Sequence, residues 1–201
     1  MMKMGEPGVP TLKEYVREIL PDQGVLGFDG RVISMEDGCE YEKMVTAKGG
    51  AIRYESDLID RIWTNRPSLS KEPAFELDVC YAGESVEEKL ARVRKEMEKA
   101  GADWHVLTTL DDIGWLLNLR GNDIAFFPMV LAYALISMRE VRLYIDSDKL
   151  GEDLKARLAC VGVRFFAYEE IYREIGQLTD ATLLLDLSLI HISEPTRRSY
   201  I

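Results

Sequence analysis

One stretch, Thr108–Pro128 (TTLDDIGWLLNLRGNDIAFFP), restricts the fold most, because it joins the end of a strand to a short helix and then to a turn. The strand is the apolar run Trp104–Leu107 just before it. Asp111 or Asp112 is expected to cap the first free amides of the helix. The apolar residues that share one face of this helix are Ile113, Leu116 and Leu117. The pattern predicts a strand, a helix and a turn.

The second half of this stretch is predicted to be a polar turn. The helix should end near Asn118, and Arg120 with Gly121 should form a turn in which glycine takes a positive φ. Asn122 and Asp123 are expected to keep that turn in water.

The amino-acid sequence of the stretch resembles the middle domain of the Xaa-Pro aminopeptidases (aminopeptidase P), which belong to the creatinase and prolidase, or pita-bread, superfamily. The matching segments are Leu110–Trp115, Leu116–Gly121, Asp123–Ile124 and Pro128–Val130, with further similarity over Ile62–Pro67, Tyr81–Met97 and Val141–Leu150. The resemblance implies an α/β fold, a creatinase N-terminal-like mixed sheet flanked by helices. It also implies two consecutive domains, of which the first is incomplete and the second truncated.

The predicted domains follow from the resemblance and from a proline-containing stretch without lasting periodicity. Residues 1–63 are the C-terminal remnant of the first domain, 64–83 a linker, 84–186 the middle domain and 187–201 a non-native tail. A first domain that is naturally shorter and starts at Met1 stays an alternative. The tail contains LSLIHISEPTR (Leu187–Arg197), which resembles the translation of a transposase-type sequencing adapter; a natural strand and tail is the other interpretation.

Helix and strand signals alternate along the chain, which favours an α/β layer fold with a mixed sheet. The predicted helices are Thr11–Leu20, Ser34–Ala47, Ser85–Ala100, Glu152–Cys160 and Tyr168–Leu178. The predicted strands are Val25–Phe28, Arg31–Ile33, Ala51–Tyr54, Trp104–Thr109, Val130–Ser137, Val141–Asp146, Val163–Ala167 and Ala181–Asp186. Capping boxes open the first and third helices. The third has an apolar stripe (Val86, Leu90, Val93, Met97), and its charged residues, Lys89 among them, are predicted to form a solvated face.

Composition excludes some functions. The 201 residues are 47 % hydrophobic and carry a net charge of −10, so a globular fold is expected and a nucleic-acid surface is not. No apolar stretch reaches the ~18 residues that span a bilayer, and the N-terminus lacks a signal-peptide core. We therefore expect a cytoplasmic protein with no membrane partner. The cysteines Cys39, Cys80 and Cys160 are predicted to be reduced and buried.

The resemblance implies a cofactor that this chain is not expected to hold. The family binds two divalent ions, usually manganese, through two aspartates, a histidine and two glutamates of its C-terminal domain. Of the two histidines here, His191 lies in the suspected tail and His105 lies in a strand without an acidic neighbour at ligand spacing. We therefore expect no catalytic residue, no metal ligand and no cofactor in this fragment.

The motif residues are instead candidates for an interdomain or subunit contact. They are Asp111, Asp112, Trp115, Asn118, Arg120 and Asp123. The resemblance implies two partners for them, the missing catalytic domain and a homodimer partner. Purely local roles are the alternative, in which the aspartates cap the helix while Asn118 and Arg120 satisfy nearby carbonyls. Two functions stay open: the non-catalytic part of an Xaa-Pro aminopeptidase, or a stand-alone binding or dimerisation module on the same scaffold.

Overall fold

Lys3 and residues 5–185 are described by the computed structural model, and this part of the chain divides between Arg66 and Pro67 into two units. Each unit contains its own paired strands. The predicted tail over residues 187–201 and its His191 lie outside the described residues. Among the described helices, none is both long enough and apolar enough to cross a membrane.

The first unit combines a small parallel sheet with two helices. Its elements are α1 (Leu12–Ile19), β1 (Val25–Gly27), α2 (Met35–Thr46) and β2 (Ala51–Arg53), with β1 parallel to β2. The predicted capping box opens α1, where the Glu14 N–H donates to the Thr11 hydroxyl at 3.3 Å. Tyr41 and Val45 of α2 are the buried hydrophobic side chains among the described residues of this unit. Its core is therefore small.

The strand predicted over Arg31–Ile33 is wrong, since these residues form a turn and a bend. The Arg31 N–H donates to the Asp29 carboxylate at 2.9 Å, and its guanidinium binds the same carboxylate at 3.1 Å. An aspartate that accepts from the backbone two residues on bends the chain into a turn.

The second unit alternates strands and helices as the sequence predicts. In chain order its elements are β3 (Phe75–Glu76), α3 (Val79–Ala82), α4 (Val86–Ala100), β4 (Trp104–Leu107), α5 (Leu110–Leu116), β5 (Leu119–Arg120), β6 (Tyr133–Ser137), β7 (Val141–Tyr144), a 3-10 turn (Ser147–Lys149), α6 (Glu152–Cys160), β8 (Val163–Phe166), α7 (Glu170–Gln177) and β9 (Leu183–Leu184). The linker stretch 64–83 is thus not wholly extended, because it contains β3 and α3.

Five of these strands form one mixed sheet with the order β8-β7-β6-β4-β9. The central strand β6 is antiparallel to β4 and β7, whereas the pairs β7–β8 and β4–β9 are parallel. The β6 residues Ala134, Leu135 and Ile136 are fully buried, as expected for an apolar run without alternation in a central strand. The predicted mixed α/β fold is confirmed. The β6 strand begins at Tyr133 and not at Val130.

The apolar stripe of α4 packs on this sheet together with α5. Val86, Leu90 and Met97 are buried, and Val93 is partly buried against the same cluster. Ser85 and Glu88 form the predicted capping box, and Gly101 ends the helix at a φ of 64°. The prediction for the cysteines is wrong with respect to burial, since Cys39, Cys80 and Cys160 are all exposed.

A short antiparallel ribbon connects the motif to the start of the second unit. Its strands β3 and β5 pair Phe75 with Arg120 and Glu76 with Leu119. The Leu77 N–H extends the ribbon by donating to the carbonyl of Asn118 at 2.7 Å. The segment before α4 is therefore held against the end of α5.

Candidate functional site

A lysine on α4 reaches the end of the motif helix α5. Lys89 is 2 % exposed, and its ammonium donates to the Asn118 side-chain oxygen at 2.6 Å and to the Trp115 carbonyl at 2.8 Å. Burial lowers the pKa of Lys89 because the charged form loses water, and the nearby carboxylate of Glu84 offsets part of this effect. The prediction that Lys89 lies on a solvated face is wrong.

Asn118 is itself buried and joins three segments. Its side-chain amide donates to the Glu84 carbonyl at 3.0 Å, while its oxygen accepts from Lys89. Its φ is 50°, in the left-handed region that asparagine adopts more readily than most residues. The positive φ predicted for Gly121 is therefore found at Asn118. Gly121 packs closely against Val130, since an added Cβ would lie 3.1 Å from the Cβ of Val130.

Trp115 lies on the opposite, solvent side of α5. Its side chain is 43 % exposed, and the Lys89 ammonium and the Arg92 guanidinium lie 4.9 Å and 5.4 Å from its ring centroid. Both cations come from α4, so cation–π contacts hold the indole in place. A half-exposed tryptophan held by two nearby cations is a surface that a partner protein can cover.

Arg120 folds back onto the motif helix. Its Nη1 donates to the Gly114 carbonyl at 2.6 Å and to the Leu119 carbonyl at 2.9 Å. A larger residue at Gly114 would require its neighbours to shift, because an added Cβ would lie 2.7 Å from the Met129 sulfur and 3.1 Å from the Leu119 carbonyl oxygen. Arg120 thus satisfies local carbonyls, as the alternative interpretation of this residue expects.

Asp123 anchors the loop that follows β5. Its carboxylate is inaccessible to solvent. The Oδ2 atom accepts hydrogen bonds from the Lys149 ammonium at 2.6 Å and from the Leu131 N–H at 2.7 Å. The Oδ1 atom has no hydrogen-bond partner among the described residues. The Lys149 side chain is only 2 % exposed. The prediction that Asp123 keeps the turn in water is wrong, because the side chain points inward to an ion pair.

Asp111 and Asp112 lie in the first turn of α5 and are exposed. Neither caps the helix; Thr109 occupies the N-cap position and makes no side-chain cap hydrogen bond. Carboxylates in the first turn still favour the positive end of the helix dipole. They leave two negative charges on the exposed end of the motif.

The exposed residues of the site, Asp111, Asp112 and Trp115, have the features of a binding surface. In the described part of the chain, no three His, Cys, Asp or Glu side chains come together in a way that could hold a metal ion. His105 lies in β4 with its Nδ1 3.0 Å from the Leu184 carbonyl, as expected for a satisfied strand histidine. The residues described here therefore do not fit the dinuclear centre implied by the resemblance.

The predicted motif residues divide into an exposed group and a buried group. Asp111, Asp112 and Trp115 face solvent, while the polar groups of Asn118, Arg120 and Asp123 bind within the unit. Sequence reasoning missed Lys89 and Lys149. For Lys89 a signal existed, since it follows Val86 by three residues and precedes Val93 by four, which puts it on the apolar face. For Lys149 no local pattern indicated burial.

The chain is similar to known proteins over most of its length. The family model of the creatinase/prolidase N-terminal domain matches residues 65–196, which overlaps the first part of the predicted tail. A probable Xaa-Pro aminopeptidase P of Laccaria bicolor is 37 % identical over 92 % of this chain and 29 % of its own length. Aminopeptidase P2 of Arabidopsis thaliana is 31 % identical over 96 % of this chain and 28 % of its own length.

A solved structure agrees with these matches. The crystal structure of X-prolyl aminopeptidase from Caenorhabditis elegans, described as a cytosolic enzyme with a di-nuclear active site, superposes with a TM-score of 0.89 at 29 % identity. The match covers 99 % of this chain and 34 % of the enzyme. The chain therefore spans about a third of the length of the proteins it resembles.

Proposed function

The chain belongs to the creatinase/prolidase N-terminal domain family, and we propose that it is the non-catalytic N-terminal part of an Xaa-Pro aminopeptidase. The full-length protein would remove the N-terminal residue that precedes proline. One observation carries this proposal. Nearly all of the chain aligns with a third of an enzyme that has a di-nuclear active site, while the described residues hold no group of metal ligands.

The hydrolytic chemistry would belong to a domain that this chain does not contain. Two divalent ions, usually manganese in the family, would activate water there. No three His, Cys, Asp or Glu side chains come together as metal ligands among the described residues, and we assign no reaction step to this chain. Its residues would orient the motif toward the catalytic domain.

Within that role, the motif residues have two tasks. We assign the contact with the catalytic domain or a homodimer partner to the exposed group Asp111, Asp112 and Trp115. Asn118, Arg120 and Asp123 support the contact from inside by fixing the end of α5 and the loop after β5. We also place the full-length protein in the cytoplasm, since the Caenorhabditis elegans enzyme is described as cytosolic.

A stand-alone module that binds or dimerises without catalysis is the second candidate. The half-exposed Trp115, held by the cations of Lys89 and Arg92, would suit that function as well. The genomic sequence downstream of Asp186 separates the two. An open frame that encodes two aspartates, a histidine and two glutamates as metal ligands supports the aminopeptidase. A genuine stop codon soon after Asp186 supports the module.

A peptidase assay tests the proposal directly. The 201-residue chain should release no arginine from an Arg-Pro-Pro peptide, with or without added manganese. The full-length polypeptide should release it in the presence of manganese and lose this activity when a chelator is added. Metal-dependent release by the short chain would contradict the non-catalytic role, and an inactive full-length polypeptide would favour the binding module.

A further inference from the structure

The loop between β5 and β6 carries an aromatic residue that is unfavourable in two ways at once. Phe126 is fully exposed, at 107 % of the reference accessibility, and its φ is 63°. A positive φ is a genuine outlier for a bulky residue, and exposure of a phenylalanine ring to water is also costly. Gly at this position would remove both costs, so the ring at position 126 needs an explanation.

The loop around Phe126 is held in shape from both sides. The Phe127 N–H donates to the Ile124 carbonyl at 3.1 Å, and the Met129 N–H donates to the Phe127 carbonyl at 2.7 Å. Below the tip, the buried Asp123 carboxylate accepts from Leu131 N–H at 2.7 Å. The backbone that carries the ring is therefore held in shape, which lowers the entropy that the loop loses when a partner binds it.

We propose that Phe126 inserts into an apolar recess on the metal-binding domain that follows this chain in the full-length polypeptide. This inference rests on the proposed function. Backbone strain persists where the surrounding structure or a contact compensates for it. For Phe126, no compensating contact is found among the described residues. Ile124, two residues earlier in the same loop and 40 % exposed, would enlarge the same contact.

The size of the contact favours a tethered domain over a second copy of the chain. A phenylalanine side chain buries about 150–250 Å², whereas a stable interface between separate proteins needs about 800 Å² on each side. A domain linked through the backbone meets the loop at high effective concentration, so a small contact suffices. The match covers 99 % of this chain and 34 % of the enzyme that it resembles. That enzyme is therefore about three times as long as this chain.

Hydroxyl-radical footprinting of the unmodified proteins tests the contact. The oxidation rate of Phe126 is measured by mass spectrometry in the 201-residue chain and in the full-length polypeptide. We expect at least a fivefold lower rate in the full-length protein. Met138, 46 % exposed at the turn between β6 and β7, is the internal control and should react equally in both. Equal oxidation of Phe126 in both proteins would overturn the inference.

A substitution gives a second, independent measurement. Phe126→Gly should leave the melting temperature of the short chain unchanged or higher, and should lower that of the full-length protein. Asp180→Gly is the matched control, because Asp180 is exposed and has a φ of 51° but carries no aromatic ring. It should shift both proteins alike. A lower melting temperature for Phe126→Gly in the short chain would mean that the ring packs within this chain, against the proposal.

The outcomes separate this inference from the proposed function. A full-length protein that is an active peptidase but oxidises Phe126 at the rate of the short chain contradicts only the inference. A reading frame without the metal-binding domain contradicts both. Protection of Phe126 that disappears when the full-length protein is diluted to a monomer would identify a second copy as the occupant and overturn the tethered domain.

Discussion

Lys89 and Asn118 lie 29 residues apart and are joined by a buried hydrogen bond of 2.6 Å from the ammonium to the side-chain oxygen. The bond links α4 to the residue that ends α5, and Asn118 also accepts the Leu77 N–H on its carbonyl. The geometry of the exposed Trp115 depends on the same ammonium, which binds the Trp115 carbonyl. One buried cation thus positions the proposed contact surface.

Replacing that cation should be costly. Lys89→Met keeps the length of the side chain but leaves the Asn118 oxygen and the Trp115 carbonyl without their donor. We expect the free energy of unfolding to fall by about 1.5–3 kcal/mol, the range for hydrogen bonds to charged groups. Urea denaturation followed by circular dichroism measures it. Lys95→Met, on the exposed side of the same helix, should change it by no more than about 0.5 kcal/mol. Equal effects would contradict this role for Lys89.

The capping box of α4 should make stability depend on pH. Hydrogen bonds from the Ser85 backbone and then from its hydroxyl lower the pKa of Glu88 below its usual 4.5. The pKa of Glu88 is higher in the unfolded chain, so the unfolded chain binds more protons as the pH falls below 4.5. The stability that Glu88 contributes is therefore lost as the pH falls through its folded-state pKa. Above 4.5 that contribution is complete.

We therefore expect Glu88→Gln to melt at a lower temperature than the natural chain at pH 7. The difference between the two melting temperatures should become smaller as the pH falls below 4.5. Thermal unfolding over a pH series measures the difference. Glu87→Gln, between Ser85 and Glu88 but not a member of the capping box, should show a smaller difference at neutral pH. A Glu88→Gln difference that stays constant below pH 4 would show that the charge of Glu88 is not responsible.

Local signals predicted the regular elements well, and contacts between distant residues were missed. The predicted bounds of Glu152–Cys160 are those observed for α6. They could be predicted because the helix signals come from residues that are close together in the sequence. The burial of Asp123 depends on Lys149, 26 residues later, and so no local pattern contains it. Polar residues look alike in sequence whether they bind water or a distant partner.

Limited proteolysis should separate the two units, with cleavage beginning in the stretch 64–83. Lys71 is exposed and lies outside any helix or strand, so trypsin should cut the Lys71–Glu72 bond early. The Arg66–Pro67 bond should resist, because proline follows the arginine. The product that starts at Glu72 should persist, since the larger core belongs to the second unit and the described residues of the first unit bury only Tyr41 and Val45 as apolar side chains. Equal persistence of both halves would contradict a weaker first unit.

The ion pair of Asp123 and Lys149 allows a cycle of variants. Asp123→Ala leaves a lysine that is 2 % exposed without its carboxylate, so we expect a loss of about 3–5 kcal/mol in the free energy of unfolding. Asn122→Ala, next to it and exposed, should cost no more than about 0.5 kcal/mol.

The double variant Asp123→Ala, Lys149→Met decides why Asp123 matters. Removing both charges together relieves the uncompensated ammonium, and replacing a buried ion pair by apolar side chains is often nearly neutral. The double variant should therefore be more stable than Asp123→Ala alone. The Leu131 N–H still loses its acceptor, which keeps the double variant below the natural chain in stability. If the two substitutions simply add, the ion pair contributes nothing, and the loss from Asp123→Ala comes from the loop alone.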